Sequence, residues 1–290
     1  MDDFIICFRH EERSLFGHAR TIIKERREKC LRKPENMPNQ DEVGRVHAYI
    51  DEEITRLSDS YAFWSSSDYL VLRDLLITQI TIFNGRRGGE PARLLIHQWE
   101  EAHNDEWLMC ESADETERER QYIRGMKIAY QRGKGGHSVP VIFLDHVVRA
   151  LEKFVSEEAR RNAGVHVQNP YVFPATGNSL NCADGWHAVH DTVCKVGLPL
   201  ARAKLFTATK MRHFVSTLFA QNLDVSDSVK QLFFQHMGHS MRTNLNNYQA
   251  PLGMMTMKRI TPLLLSMKGS DVLKKGDGVV ESTSTTLGRN

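Results

Sequence analysis

A single glycine-rich turn, QRGKGGHS at 131–138, limits the fold of this chain more than any other feature. It separates two short runs with strand character, Tyr122 to Tyr130 and Val139 to Leu144, and glycines at 133, 135 and 136 give the backbone the freedom a tight hairpin needs. The remaining periodicity is helical. SerSerSerAsp at 65–68 forms an N-cap cluster ahead of Tyr69, Leu72, Leu75, Leu76, Ile80 and Phe83, which share one helix face that stops at Asn84-Gly85. Further helices are expected at 41–57, 90–99, 145–161, 185–196, 209–221, 227–236, 243–249 and, rich in methionine, 253–267. The fold class expected is mainly α with a small β-sheet, α+β.

At 290 residues the chain has room for one large domain or two smaller ones. Hydrophobic content of 41% with 26% charged residues is that of a soluble globular protein and excludes collagen-like or wholly disordered chains. No apolar run reaches the roughly 18 residues of a membrane helix, and the start MDDFIICFRHEER does not read as a signal peptide, so an intracellular protein with no membrane partner is expected. Five cysteines without a CxxC pair fit reduced thiols.

The net charge of +2 conceals an uneven distribution. Residues 99–119 hold nine acids and one base, without apolar period, and read as an inserted surface segment. By contrast, residues 201–268 hold nine bases against two acids, and residues 120–139 five bases and no acid. Arg20 to Lys33 adds a basic helical stretch, seven Lys/Arg against two Glu, broken at Pro34 and Pro38. Three divisions follow: a short helical region at 1–60, a main domain at 61–268 carrying the acidic insertion, and a polar Gly/Ser/Thr-rich tail at 269–290 expected to be disordered.

Chemistry concentrates toward the C-terminus, in ThrAlaThrLysMetArgHisPheValSerThr at 207–217 and HisMetGlyHisSerMetArgThrAsnLeuAsnAsnTyr at 236–248. A guanidinium grips phosphate oxygens, an imidazole donates a hydrogen bond and a phenol can attack phosphorus, so Arg212, His239 and Tyr248 together suit phosphoryl transfer. Each alone is unremarkable: an arginine on a helix is usually a surface charge and a lone tyrosine half-buried packing.

Here the sequence resembles the tyrosine recombinase, phage-integrase-like family. Its third motif, Leu-Gly-His-Ser-x-x-x-Thr-x-x-x-Tyr, is matched nearly position for position by residues 237–248. Its first, Gly-x-Arg-x-x-Glu, is met by Gly85 to Glu90, which puts a catalytic arginine at Arg87 and its supporting carboxylate at Glu90. A lysine in a Gly-Lys-Gly hairpin followed by Val-Pro is met by Lys134, with Val139-Pro140. With Arg212 answering to the arginine of the second motif, the four elements stand in the family's order.

The resemblance covers about residues 61–268 and implies a catalytic domain preceded by a shortened DNA-clamping region. It implies that Tyr248 attacks a scissile phosphate to leave a 3′-phosphotyrosyl link, that Arg87 and Arg212 hold the non-bridging oxygens, that Lys134 protonates the leaving 5′-oxygen, that His239 hydrogen-bonds the phosphate and that Glu90 orients Arg87. No cofactor and no metal would be required. The partners implied are double-stranded DNA and a second copy of the chain docked through the helix after the nucleophile. TATKMRHFVSTL and the insertion resemble the eukaryotic, transposon-related Crypton-like branch, which implies the nucleus for a eukaryotic chain and the cytoplasm otherwise.

One position departs from the pattern. Where the second family motif, His-x-x-Arg-His, has its first histidine, this chain has Thr209, whose hydroxyl is no general base at neutral pH. A non-catalytic DNA-binding descendant is therefore the alternative reading, and type IB topoisomerase-like relaxation a third. Cys182, His187, His190 and Cys194 carry metal-ligating chemistry, but their spacing lacks a tight ligand pair and reads as a polar helix face.

Overall fold

The computed structural model describes Ile5, Cys7, Glu11, Ser14, Glu25 and residues 16–23, 33–59, 64–108, 116–133, 136–222, 225–250 and 252–267. Lys134, most of the acidic segment after Leu108 and the 269–290 tail lie outside the described residues. Two compact units divide the chain at 250/251.

In the first unit, helix α1 (Gln40–Asp59) is followed by α2 (Ser66–Phe83), a 3-10 turn at Pro91–Arg93, α3 (Ile96–His103) and α4 (Glu117–Ile123). The antiparallel hairpin β1 (Lys127–Arg132) and β2 (Ser138–Phe143) comes next, in register Lys127 with Phe143 through Arg132 with Ser138. Then come α5 (Asp145–Phe154), α6 (Glu157–Asn162), α7 (Gly185–Cys194), α8 (Leu200–Ala203), α9 (Ala208–Gln221), α10 (Asp227–Met237) and α11 (Met241–Asn247). Among the described residues the chain is thus mainly helical with one two-stranded sheet, as its periodicity predicts.

Helix α2 is the hub. Ser65 Oγ accepts from the Asp68 amide at 3.1 Å while the Asp68 carboxylate accepts from the Ser65 amide at 3.0 Å, a reciprocal cap that fixes the start. From Tyr69 onward its residues are buried on nearly every side, against α1, α5, α7, β2 and α9. Each fully buried Leu or Ile contributes about 1.5–3 kcal/mol relative to exposure, so this element anchors the domain. Tyr69 stacks on Phe154 at 4.2 Å, and Trp99 meets Phe143 edge-on at 5.6 Å, tying α3 to the hairpin.

Several boundaries differ from the sequence expectation, each for a local reason. The segment 90–99 is not one helix: Pro91 opens a 3-10 turn, and Leu95 is extended, bridging Tyr171, before Gln98 Oε1 caps α3 by accepting from the Leu95 amide at 3.1 Å. The strand expected from Tyr122 begins at Lys127, because Thr116 caps a helical turn that carries on through Ile123. The stretch 145–161 is two helices, since Ser156 starts a new one by capping Ala159.

The second unit holds α12 (Gly253–Met267), on which Met254, Met257, Ile260 and Leu264 are exposed. Among the described residues no helix is long and apolar enough to cross a membrane.

Candidate functional site

The site is assembled where two loops converge on α9. The first leaves α2 through Asn84, whose buried side chain donates to the Ile80 carbonyl (3.1 Å) and the Ile142 carbonyl (2.9 Å) and accepts from the Ile142 amide (2.8 Å). Asn84 thereby acts as one extra rung on β2 and locks the Gly85–Glu90 loop to the hairpin. On the loop's other side, the N-terminus of α7 presses so closely that a Cβ on Gly185 would lie 2.0 Å from the Gly88 carbonyl oxygen. Only glycine fits there. Arg87 Nη1 then meets Glu90 Oε1 at 3.1 Å, and Glu90 Oε2 accepts from the Arg87 amide at 3.2 Å; Glu90 is 3% exposed, while Arg87 still reaches solvent.

The second loop ends α10 and begins α11. Gly238, at φ 64° and ψ 38°, is the left-handed residue that terminates α10, and Ser240 Oγ caps α11 by accepting from the Thr243 amide at 3.2 Å. Stop and start are two residues apart, which leaves His239 between them with its ring free to face α9. The Gly-His-Ser wording is therefore a backbone requirement as well as a chemical one.

Arg212 joins the loops from α9, at 1% exposure. Its guanidinium donates to the Gly85 carbonyl (2.8 Å), the Met237 carbonyl (2.6 Å) and His239 Nδ1 (2.9 Å). Because arginine can only donate, His239 Nδ1 must be the unprotonated nitrogen, so Nε2 carries the hydrogen and donates to Asn244 Oδ1 at 2.9 Å. Burial, with the Arg212 and Arg87 charges adding to it, lowers the His239 pKa and keeps this tautomer neutral.

Tyr248 closes the constellation. Its ring stacks on His239 with centroids 4.8 Å apart, and the Arg212 guanidinium carbon lies 5.0 Å from its centroid. Burial alone would push the phenol up, but Arg212 and Arg87 beside it outweigh that effect and hold it below the ordinary tyrosine value. Thr209 is exposed one turn before Arg212 on α9. Lys134 lies outside the described residues, so the structure brings together Arg87, Glu90, Arg212, His239 and Tyr248.

Sequence reasoning missed Arg86. It is 0% exposed, donates to the His236 carbonyl, and burial pulls its pKa down to about 10. His236 in turn donates from Nε2 to the Asn84 carbonyl at 3.0 Å, and its pKa is lowered to about 4, chiefly by burial. Nothing in the spacing separates Arg86 from Arg87; only the loop conformation does. Three guanidinium groups, Arg86, Arg87 and Arg212, thus stand against the one carboxylate of Glu90. Such a surplus of positive charge, with Arg86 and Arg212 fully buried, is costly without an anion and suits a site that stabilises negative charge. A cleft of about 540 Å³ opens beside Arg87 and is walled also by Arg93 and Arg132.

Within the acidic segment, Asp105 pairs with Lys127 of β1 at 2.6 Å and Trp107 packs on Tyr130 of the same strand at 4.7 Å. Among the described residues no group of His, Cys, Asp and Glu side chains is arranged to hold a metal ion. On α7, His187 pairs with Asp184 at 3.2 Å and His190 with Asp191 at 2.9 Å.

No family model and no curated protein matches the chain. Among solved structures it is similar to the XerH site-specific recombinase bound to a palindromic difH substrate in a post-cleavage complex, with 17% identity, a TM-score of 0.50 and coverage of 79% of this chain and 52% of that one. A second structure, XerH bound to difH substrate in a pre-cleavage complex, has 16% identity and a TM-score of 0.46 over 80% and 54%. The chain spans about half the length of these structures. It has the fold of the tyrosine recombinase catalytic domain.

Proposed function

We propose that this chain breaks and rejoins DNA strands through Tyr248. The observation that carries the reading is the convergence of Arg212, His239 and Tyr248 on one point, with the Arg87–Glu90 pair at its edge. In the proposed reaction the Tyr248 phenol gives its proton to solvent under the Arg212 and Arg87 charges and its oxygen attacks phosphorus, the bond to the 5′-oxygen breaks, and a 3′-phosphotyrosyl link forms; Lys134 gives the leaving oxygen its proton. Arg87 and Arg212 hold the non-bridging oxygens, and each such donor is worth on the order of 3 kcal/mol in the transition state. His239 offers its Nε2 hydrogen to the phosphate in exchange for Asn244. The bond energy stays in the protein–DNA link, so a free 5′-hydroxyl on another strand can reverse the step.

The likeness in fold supports this reading together with double-stranded DNA as partner. To it we add site-specific recombination or integration as the outcome, pairing of copies on DNA through the 253–267 helix, a Crypton-like, transposon-derived origin and a nuclear location. The test is a nicked duplex whose cleaved product diffuses away: the chain should form a covalent adduct, and Tyr248→Phe none. A second reading, DNA binding without cleavage, is favoured by Thr209 in place of a general base. Its signature is intact DNA binding with no adduct, and, since the missing base is its ground, Thr209→His should then restore one.

A further inference from the structure

Tyr248 ends α11, where a helix leaves its last carbonyls without partners of its own. Two backbone groups there, the carbonyl of Tyr248 and the amide of Ala250 two residues on, are met by α9. His213 Nδ1, which must carry the hydrogen because its partner is a carbonyl, donates to the Tyr248 carbonyl at 2.7 Å. One turn further along the same face, Thr217 Oγ1 accepts from the Ala250 amide at 2.9 Å. His213 and Ala250 are buried, at 2% and 1% exposure, so neither bond competes with bulk water. Arg212, next to His213, reaches the Tyr248 ring from the same helix.

We infer that His213 and Thr217 are positioning residues that clamp the backbone at and just after Tyr248 and so set where its phenol stands. The clamp rests on the proposed role of Tyr248 as nucleophile. It deepens that role by making aim a property of α9 in the same chain. An elementary alternative is that the two bonds only satisfy a helix end. The difference is measurable, because satisfying a helix end affects stability and leaves the phenol's surroundings as they were.

Two paired substitutions separate the cases. His213→Leu removes the donor and keeps bulk, whereas His213→Asn keeps an N–H near the Nδ1 position; Thr217→Val removes the acceptor isosterically and Thr217→Ser keeps it. The first readout is the ionisation of Tyr248 by ultraviolet difference titration against Tyr248→Phe, which needs no cleavage. In the wild type the phenol sits under Arg212 and Arg87 and titrates below ordinary tyrosine. His213→Leu and Thr217→Val should move it upward, and His213→Asn and Thr217→Ser should return it toward the wild type. The second readout is adduct formation on nicked DNA, expected to slow about ten- to a hundredfold in the first pair with DNA affinity unchanged, since small misplacements of a reacting group cost that much. A Tyr248 titration that is the same in all five proteins would overturn the clamp even if cleavage is observed. A shifted titration in a chain that never forms an adduct would uphold the clamp and overturn the cleavage reading instead.

Discussion

Replacing Gly238 with alanine tests how the hairpin and the His239 loop depend on each other. Gly238 lies at φ 64°, ψ 38°, a conformation that costs a residue with a Cβ about 1–2 kcal/mol. That Cβ would also stand 2.7 Å from Val139 Cγ1, and Val139 is buried in β2 at 3% exposure. Overpacking of this kind costs a further 1–3 kcal/mol or about that, because either the strand or the loop must shift. Gly238→Ala should therefore lose roughly 2–5 kcal/mol of stability. In the Val139→Ala background the clash has no partner, while the left-handed cost remains. Urea unfolding of the four proteins in this double-mutant cycle should give a coupling of about 1–3 kcal/mol, with unchanged m-values. Additivity within about 0.5 kcal/mol would refute the close approach of loop and strand. The loop also carries the Met237 carbonyl that receives Arg212, so the single variant should lose adduct formation and the double variant regain part of it.

Two further outcomes follow from buried polar groups. His236 has its pKa lowered from 6.5 to about 4 by burial, so the unfolded chain binds more protons between those values. Stability should fall as pH drops from 6.5 toward about 4 and level off below it, by on the order of 3 kcal/mol for this group. His236→Gln should flatten that slope in pH-dependent urea melts; an unchanged slope would contradict the buried, neutral assignment. Asn84→Leu leaves the Ile142 amide and carbonyl unpaired and should cost about 2–4 kcal/mol. Hydrogen exchange should show the Ile142 amide losing protection first, and retained protection would mean that another group holds β2.

What the sequence made legible was whatever rests on local rules. The glycine turn announced the hairpin and the Ser65–Asp68 cap cluster announced α2, whereas the helix after His239 begins at Met241 under the Ser240 cap, two residues before the position its periodicity suggested. Features that depend on partners distant in the chain were not legible. Leu95 is extended because it bridges Tyr171, and Arg86 is buried while Arg87 is not because Asn84 and Gly185 fix the loop from both sides. His213 is the instructive case. Helix geometry turns adjacent residues about 100° apart, so it does not take the place that Thr209 leaves open. The same rotation points it at the backbone of Tyr248, a partner 35 residues away.

The central claim is that the Tyr248 oxygen becomes covalently joined to DNA phosphorus. Its most direct test is to trap the adduct on a nicked duplex, digest both polymers, and identify by mass spectrometry the residue that retains a nucleotide. A nucleotide phosphate on Tyr248, absent after Arg212→Ala and after Tyr248→Phe, is the predicted result. A linkage at any other residue, or DNA bound at full affinity with no covalent product under any condition, would contradict the account.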